Sequence, residues 1–348
     1  MVSITASLAA AALAFSSVWS SAPVLPETPT ESPPELTART WILYDAESGV
    51  VLASRDADME RAMASVTKIM TALVVIENAD LEDQVQISSR AAGVGEAEIG
   101  LYAGERWTVR ELLAAVMIRS ANDAAVALAE HVGGSVSGFA AIMNEKAEAL
   151  GLEHSKFVNP HGLDDPGHYT TAADLVVMAE AALEHPYLAR LARTKLVTFR
   201  PTPEGVNREA QSTNKLLGVY PGIIGLKTGF TSRAALVLVG VTEVNGRRLI
   251  SVVMGSRAHF DDTRELVDYG VRSMTLRDRY MAPLVREEGG GATEGTLVPL
   301  TATQRARLMS VEPLPDGQWS TTTFERTDLA NRIRGWMRSV TPAAVGGP

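Results

Sequence analysis

The chain has 348 residues, 46% apolar and 21% charged, the proportions of a globular protein with room for one large cored domain and a smaller appendage. Its 41 acidic and 32 basic residues leave a net charge of −9 with no basic run to offset it, which argues against nucleic acid as a partner. The absence of cysteine excludes disulfides, thiolate metal sites and cysteine nucleophiles.

Residues 1–22 carry no charge, and the apolar segment Leu8 to Phe15 is followed by small residues, so this stretch reads as a secretory signal peptide even though a basic leading region is missing. Its apolar core is short for a membrane span. Residues 23–36 are Pro-rich and read as an extended linker, after which a domain is expected over residues 37–276. Trp41 to Tyr44 and Val50 to Ala53 flank a polar turn and predict a β-hairpin.

Ala64-Ser65-Val66-Thr67-Lys68 then opens an apolar run to Ile76 that lacks Gly and Pro and is apolar nearly all round, the pattern of a helix buried inside a domain. Three-residue spacing puts Ser65 and Lys68 on one helix face. Desolvation disfavours the Lys68 ammonium, and a neutral amine beside Ser65 can take the hydroxyl proton as the oxygen attacks a carbonyl. The bland alternative is a cap serine and a lysine whose stem carries its charge out of the core. Two later motifs decide between them.

Asp83 to Ser88 is a short strand candidate, and Thr108-Val109-Arg110-Glu111 is a capping box that starts a helix from Glu111 to Arg119. Ser120-Ala121-Asn122, the second motif, interrupts this helix and the next, Asp123 to His131; Ser135 to Leu150 is a further amphipathic helix. Asn159 to Tyr169 is dense in turn formers and reads as an irregular loop. Its histidines and aspartates match no familiar zinc spacing, and no metal site is read there. Thr171 to Asp174 caps a helix that Pro186 ends. Strands are expected at Leu196 to Phe199, Gly222 to Leu226, Ala235 to Thr242 and Arg248 to Met254, and a last helix at Asp261 to Met274. The third motif, Lys227-Thr228-Gly229, is placed directly after the second of these strands.

Each motif is weak alone, but their order and spacing are specific. S-x-x-K, a Ser-Asn motif and K-T-G are an established signature of penicillin-binding proteins and class A β-lactamases. With Ala64 to Thr71, Ser120 to Ala125, Asn159 to Asp165 and Gly225 to Gly229, the chain resembles the serine D-Ala-D-Ala carboxypeptidases among the low-molecular-weight penicillin-binding proteins, over roughly Thr40 to Met274. The resemblance implies an α+β (α/β) fold like that of β-lactamases and transpeptidases, with an antiparallel sheet flanked by helices and an all-helical subdomain. It further implies peptidoglycan stem peptides as substrate, an acyl-enzyme on Ser65, β-lactams as covalent inhibitors and no cofactor.

The chemistry then gives roles to residues. Ser65 is expected as nucleophile, Lys68 as its base, and Ser120 as a proton relay to the leaving amine. Asn122 is expected to orient Lys68 and bind a substrate carbonyl, and Lys227 and Thr228 to hold an anionic substrate end. Gly229 is expected to let substrate backbone lie close, and the Phe230 N–H to complete an oxyanion hole with that of Ser65. Arg264 is expected to add a second cation. Ala235 departs from the family, where a glycine is common.

The extension over residues 277–348 matches nothing nameable; strand-like pieces and a basic amphipathic stretch, Leu329 to Arg338, are consistent with a small β-region ending in a helix that lies on a membrane surface or packs on the domain. Two other functions share parts of this pattern. A β-lactamase would need a carboxylate to activate the deacylating water, and no Glu-x-x-x-Asn element lies between Ser120 and Lys227. A peptidoglycan-binding sensor or scaffold without turnover would not need the intact reactive set. The expected location is the periplasm or cell-wall side, with attachment to the cytoplasmic membrane through the C-terminal segment.

Overall fold

A computed structural model of the protein describes residues 32–281. The expected signal segment, the linker before residue 32, and the extension after residue 281 lie outside the described residues. Strands β1 (Thr40–Asp45) and β2 (Val50–Arg55) form the expected hairpin, and a one-turn 3-10 segment, Ala64–Thr67, leads into α1 (Lys68–Asn78). There follow β3 (Gln84–Gln86), α2 (Ser89–Ala92), β4 (Arg106–Thr108), α3 (Val109–Ala114), a π-helical turn Ala115–Arg119, α4 (Asn122–Gly133) and α5 (Val136–Ala149). Then come α6 (Ala172–Glu184), α7 (Pro186–Ala192), β5 (Leu196–Phe199), β6 (Arg208–Gln211), β7 (Ile223–Thr231), β8 (Ala235–Val244), β9 (Arg247–Ser256) and α8 (His259–Met281).

The main sheet is antiparallel in the order β2-β1-β9-β8-β7, which makes β7 an edge strand. Alternation along its strands feeds two cores. Ile42, Tyr44, Val239, Val241, Ile250 and Val252 face the helical region, whereas Trp41, Leu43, Leu238, Leu249 and Val253 face Leu266 and Val267 of α8. Helix α1 runs through the first core in contact with α4, α5 and α6, and every residue from Lys68 to Val75 is buried. A helix apolar all round finds partners all round.

Several local expectations hold for the expected reason. Thr108 and Glu111 form a reciprocal capping box, and Thr171 accepts the Asp174 N–H. Others change. Pro186 does not only end α6 but also stands at the first position of α7, where its missing N–H is harmless. The helix expected to reach Arg119 loosens into the π turn after Ala114. Lys227, Thr228 and Gly229 are not beyond the strand but within β7, paired with Val239, Leu238 and Val237. Leu36, given to the linker by its proline-rich surroundings, packs in the α8 core, and the adjacent Thr37 N–H and hydroxyl both bond Asp262 at 2.8 Å. Ala235 has φ 57°, in the left-handed region that favours glycine, which gives the departure at this position a physical cost.

Candidate active site

The turn carrying Ser65 is entered through Ala64 at φ 51°, a left-handed conformation in which an alanine is strained. Two neighbours hold it there. Thr67 Oγ1 donates to Ala64 O at 2.8 Å and lies 2.7 Å from His168 Nε2. Because His168 Nδ1 accepts the Val158 N–H at 3.1 Å, Nε2 carries the hydrogen and donates to Thr67. Burial lowers the His168 pKa to about 4, so the ring is neutral at neutral pH.

Lys68 begins α1 and is fully buried, with 0% exposure. Its Nζ lies 3.1 Å from Ser65 Oγ, 2.7 Å from Asn122 Oδ1 and 2.7 Å from His161 O. Burial, then repulsion from Lys227, holds its pKa well below the ordinary lysine value, with Glu96 and Asp123 opposing. The partners decide how a neutral amine points. Asn122 Oδ1 and the His161 carbonyl can only accept, so they take its two N–H bonds and leave the lone pair facing the Ser65 hydroxyl. The orientation of Asn122 is fixed too, since its Nδ2 donates to Gly95 O at 3.2 Å.

The loop of residues 159–169 is what brings His161 O to Lys68. Asn159 Oδ1 accepts the His161 and Gly162 N–H groups at 3.2 and 2.7 Å, and Thr71 of α1 donates to Pro160 O at 2.6 Å. Gly162, at φ 89°, passes so close to the nucleophile turn that a Cβ there would stand 1.9 Å from Ala64 O. Nothing in the sequence points to this carbonyl, because a backbone oxygen belongs to every residue alike.

Ser120 sits between the π turn and α4 at φ 67°, and its buried Oγ has no hydrogen-bond partner among the described residues. A buried hydroxyl left without a partner carries a cost that a substrate or a water can relieve. Lys227 is 1% exposed, and burial brings its pKa down to about 7. Its Nζ donates to Thr228 O at 3.0 Å, and Thr228 Oγ1 meets Thr213 Oγ1 at 2.6 Å. Gly229 has a packing role besides the one read in the sequence. A Cβ there would stand 2.9 Å from Ser65 N and 3.0 Å from Ala64 Cβ, so the missing side chain lets β7 lie against the nucleophile turn. Phe230 follows it on the strand and is 65% exposed.

Arg264 is not gathered with these residues. It is half-exposed on α8, the helix on the sheet face away from α1, and its guanidinium bonds Asp261 Oδ1 at 2.7 Å. A helix that starts after the last strand looked near the site in the sequence, but the two sheet faces separate them. Thr213 is the reverse case, present at the site with no motif to announce it.

The arrangement joins a serine, a buried amine aimed at it, a second serine with free hydrogen-bonding capacity, and a cation at a sheet edge where an extended peptide can add as a strand. A family model described as D-alanyl-D-alanine carboxypeptidase matches residues 27–258. The D-alanyl-D-alanine carboxypeptidase DacF of Bacillus subtilis is 37% identical over 226 residues, 63% of this chain and 57% of that protein. DacB2 of Mycobacterium tuberculosis, named for the same activity, is 36% identical over 261 residues, 72% of this chain and 88% of that protein. The crystal structure of the Streptomyces K15 DD-transpeptidase superposes with a TM-score of 0.66 at 31% identity, covering 70% of this chain and 100% of that one. The chain thus spans little more than half the length of DacF but most of DacB2. With a match across two thirds of its length and the three motifs converged on one cleft, the chain belongs to the D-alanyl-D-alanine carboxypeptidase family.

Proposed function

We propose that this protein is a serine D,D-carboxypeptidase of the cell envelope that removes the terminal D-Ala from peptidoglycan stem pentapeptides. The observation that carries the reading is the Lys68 amine, buried and bonded to two acceptors, 3.1 Å from Ser65 Oγ. In the neutral form it takes the Ser65 proton as Oγ attacks the carbonyl of the penultimate D-Ala. The backbone N–H groups of Ser65 and Phe230 receive the developing oxyanion. As the C–N bond breaks, Ser120 gives its proton to the nitrogen of the terminal D-Ala and takes the one Lys68 removed from Ser65, which leaves the acyl group on Ser65 and returns Lys68 to the neutral amine. Water, deprotonated by the same amine, then attacks the ester, and the Ser65 oxygen leaves with a proton. Lys227 and the Thr228 hydroxyl hold the substrate carboxylate, and the Asn122 amide binds a peptide carbonyl.

Such a substrate places the enzyme outside the cytoplasmic membrane. Residues 1–22 serve as the export signal, and the basic C-terminal stretch as a contact with the membrane surface. The catalytic domain takes in Leu36, which packs in its core, and α8 to its end at Met281, with the chain beyond as an extension.

A second reading is favoured by the likeness to the K15 DD-transpeptidase: an amine in place of water as acyl acceptor. Mass spectrometry of the protein with a diacyl-Lys-D-Ala-D-Ala peptide, with and without an added amino acid, separates the two. The carboxypeptidase reading expects free D-Ala, a transient adduct on Ser65 and a shortened acid. A transpeptidated product dominating over the acid favours the second, and an adduct that never turns over means a sensor or scaffold. A fluorescent penicillin should label Ser65; labelling that persists in Ser65→Ala refutes the nucleophile.

A further inference from the structure

Thr213 lies in the segment after β6 and is fixed from both sides. Its N–H donates to Ile118 O at 3.3 Å, in the π turn that leads to Ser120, and its hydroxyl meets that of Thr228 at 2.6 Å. The neighbouring backbone is pinned as well, with Ser212 N–H on Lys195 O at 2.8 Å and Leu216 N–H on Asn214 Oδ1 at 3.0 Å. Thr213 therefore bridges the walls of the cleft formed by the second and third motifs.

Two hydroxyls carry two hydrogens, and their mutual bond uses one. Among the described residues neither oxygen has another partner, so the pair keeps one O–H to offer, on the residue next to Lys227 whose main-chain oxygen accepts from the Lys227 Nζ. We propose that Thr213 is a positioning residue for recognition of the substrate's C-terminal carboxylate: it donates to Thr228 Oγ1 and thereby turns the Thr228 hydrogen toward the anion. Without it the Thr228 hydroxyl rotates among its staggered positions, and the polarisation that a donor chain gives its last hydrogen is lost. The proposal rests on the carboxypeptidase reading above.

The test uses the full chain as wild type, Thr213→Val and Thr213→Ser. D-Ala release from diacyl-Lys-D-Ala-D-Ala is compared with D-Ala-amide release from the corresponding amide, with kcat and KM separated. Thr213→Val should lose roughly fivefold in kcat/KM on the acid, mostly through KM, as expected for one hydrogen bond, with little change on the amide. Thr213→Ser should restore the wild-type value. Equal losses on acid and amide mean that Thr213 only supports the loop, and an unchanged acid KM in Thr213→Val means that it does nothing for the carboxylate; either result overturns the proposal alone. A wild type that turns over acid and amide equally overturns it together with the carboxypeptidase reading.

Discussion

Lys68 Nζ and Asn122 Oδ1 are 2.7 Å apart across 54 positions of sequence, and this bond makes the second motif the holder of the base in the first. A buried amine keeps its direction only while its acceptors are present. In Asn122→Ala one acceptor is gone and the amine can turn from Ser65. Leaving one N–H of a buried neutral amine without its acceptor costs about 1–3 kcal/mol, so acylation by a labelled penicillin should slow roughly fivefold to a hundredfold. Wild-type labelling rates in a folded Asn122→Ala protein would contradict this relationship.

The two lysines predict opposite limbs of a pH profile. Acylation needs Lys68 neutral, so the rate rises with pH through its lowered pKa. Lys227 must stay charged to hold a carboxylate, and burial brings its pKa to about 7, so kcat/KM on the acid substrate should fall above about pH 7. The amidated substrate should lack that fall. Lys227→Ala should lose most of the acid-over-amide preference, a change of about thirtyfold to several-thousandfold for an interaction of about 2–5 kcal/mol. A wild type whose acid and amide profiles coincide would remove Lys227 from carboxylate binding.

His168 makes the fold sensitive to acid. Burial lowers its pKa to about 4 while the unfolded chain keeps the ordinary value near 6.5, so below pH 6.5 the unfolded state binds a proton that the folded state refuses. Stability contributed by the neutral ring is full above about pH 6.5 and is lost as pH falls toward about 4, at up to roughly 1.4 kcal/mol per pH unit. His161, lowered to about 3 by burial and by Lys68, adds in the same direction. Urea midpoints at pH 7 and pH 5 should differ less in His168→Gln than in wild type. Equal differences would mean that the ring is protonated in the fold.

Gly162→Ala tests the loop that supplies the His161 carbonyl. The new Cβ meets Ala64 O at 1.9 Å from a backbone already at φ 89°, and neither the loop nor the nucleophile turn can stay in place. Stability should fall by about 2–4 kcal/mol, and penicillin acylation should drop further than that loss of folded protein explains. Normal acylation per folded molecule would show that His161 O is dispensable to Lys68.

The three motifs, the capping box at Thr108, the cap at Thr171, the opening hairpin and the long strands were legible in the sequence because each is a local pattern. Spacing alone put Ser65 and Lys68 on one face, and the apolar run around Lys68 announced its burial. What local pattern cannot carry is which surfaces meet. Arg264 lies in the first helix after the strand hairpin that follows Lys227, yet alternation along β8 and β9 sends α8 to one face of the sheet and α1 to the other. In the sequence Gly229 reads as room for a ligand, and only β7 seen against Ser65 shows that its missing Cβ is also a requirement of packing. The Lys68 acceptor at His161 is a main-chain oxygen delivered by a loop, and Thr213 is one threonine among many until the cleft closes on it. The sequence by itself determined the reactive groups, through residue type and helical or strand period. Tertiary structure decided their surroundings, because the pKa and direction of a buried amine depend on groups that only folding brings within bonding distance.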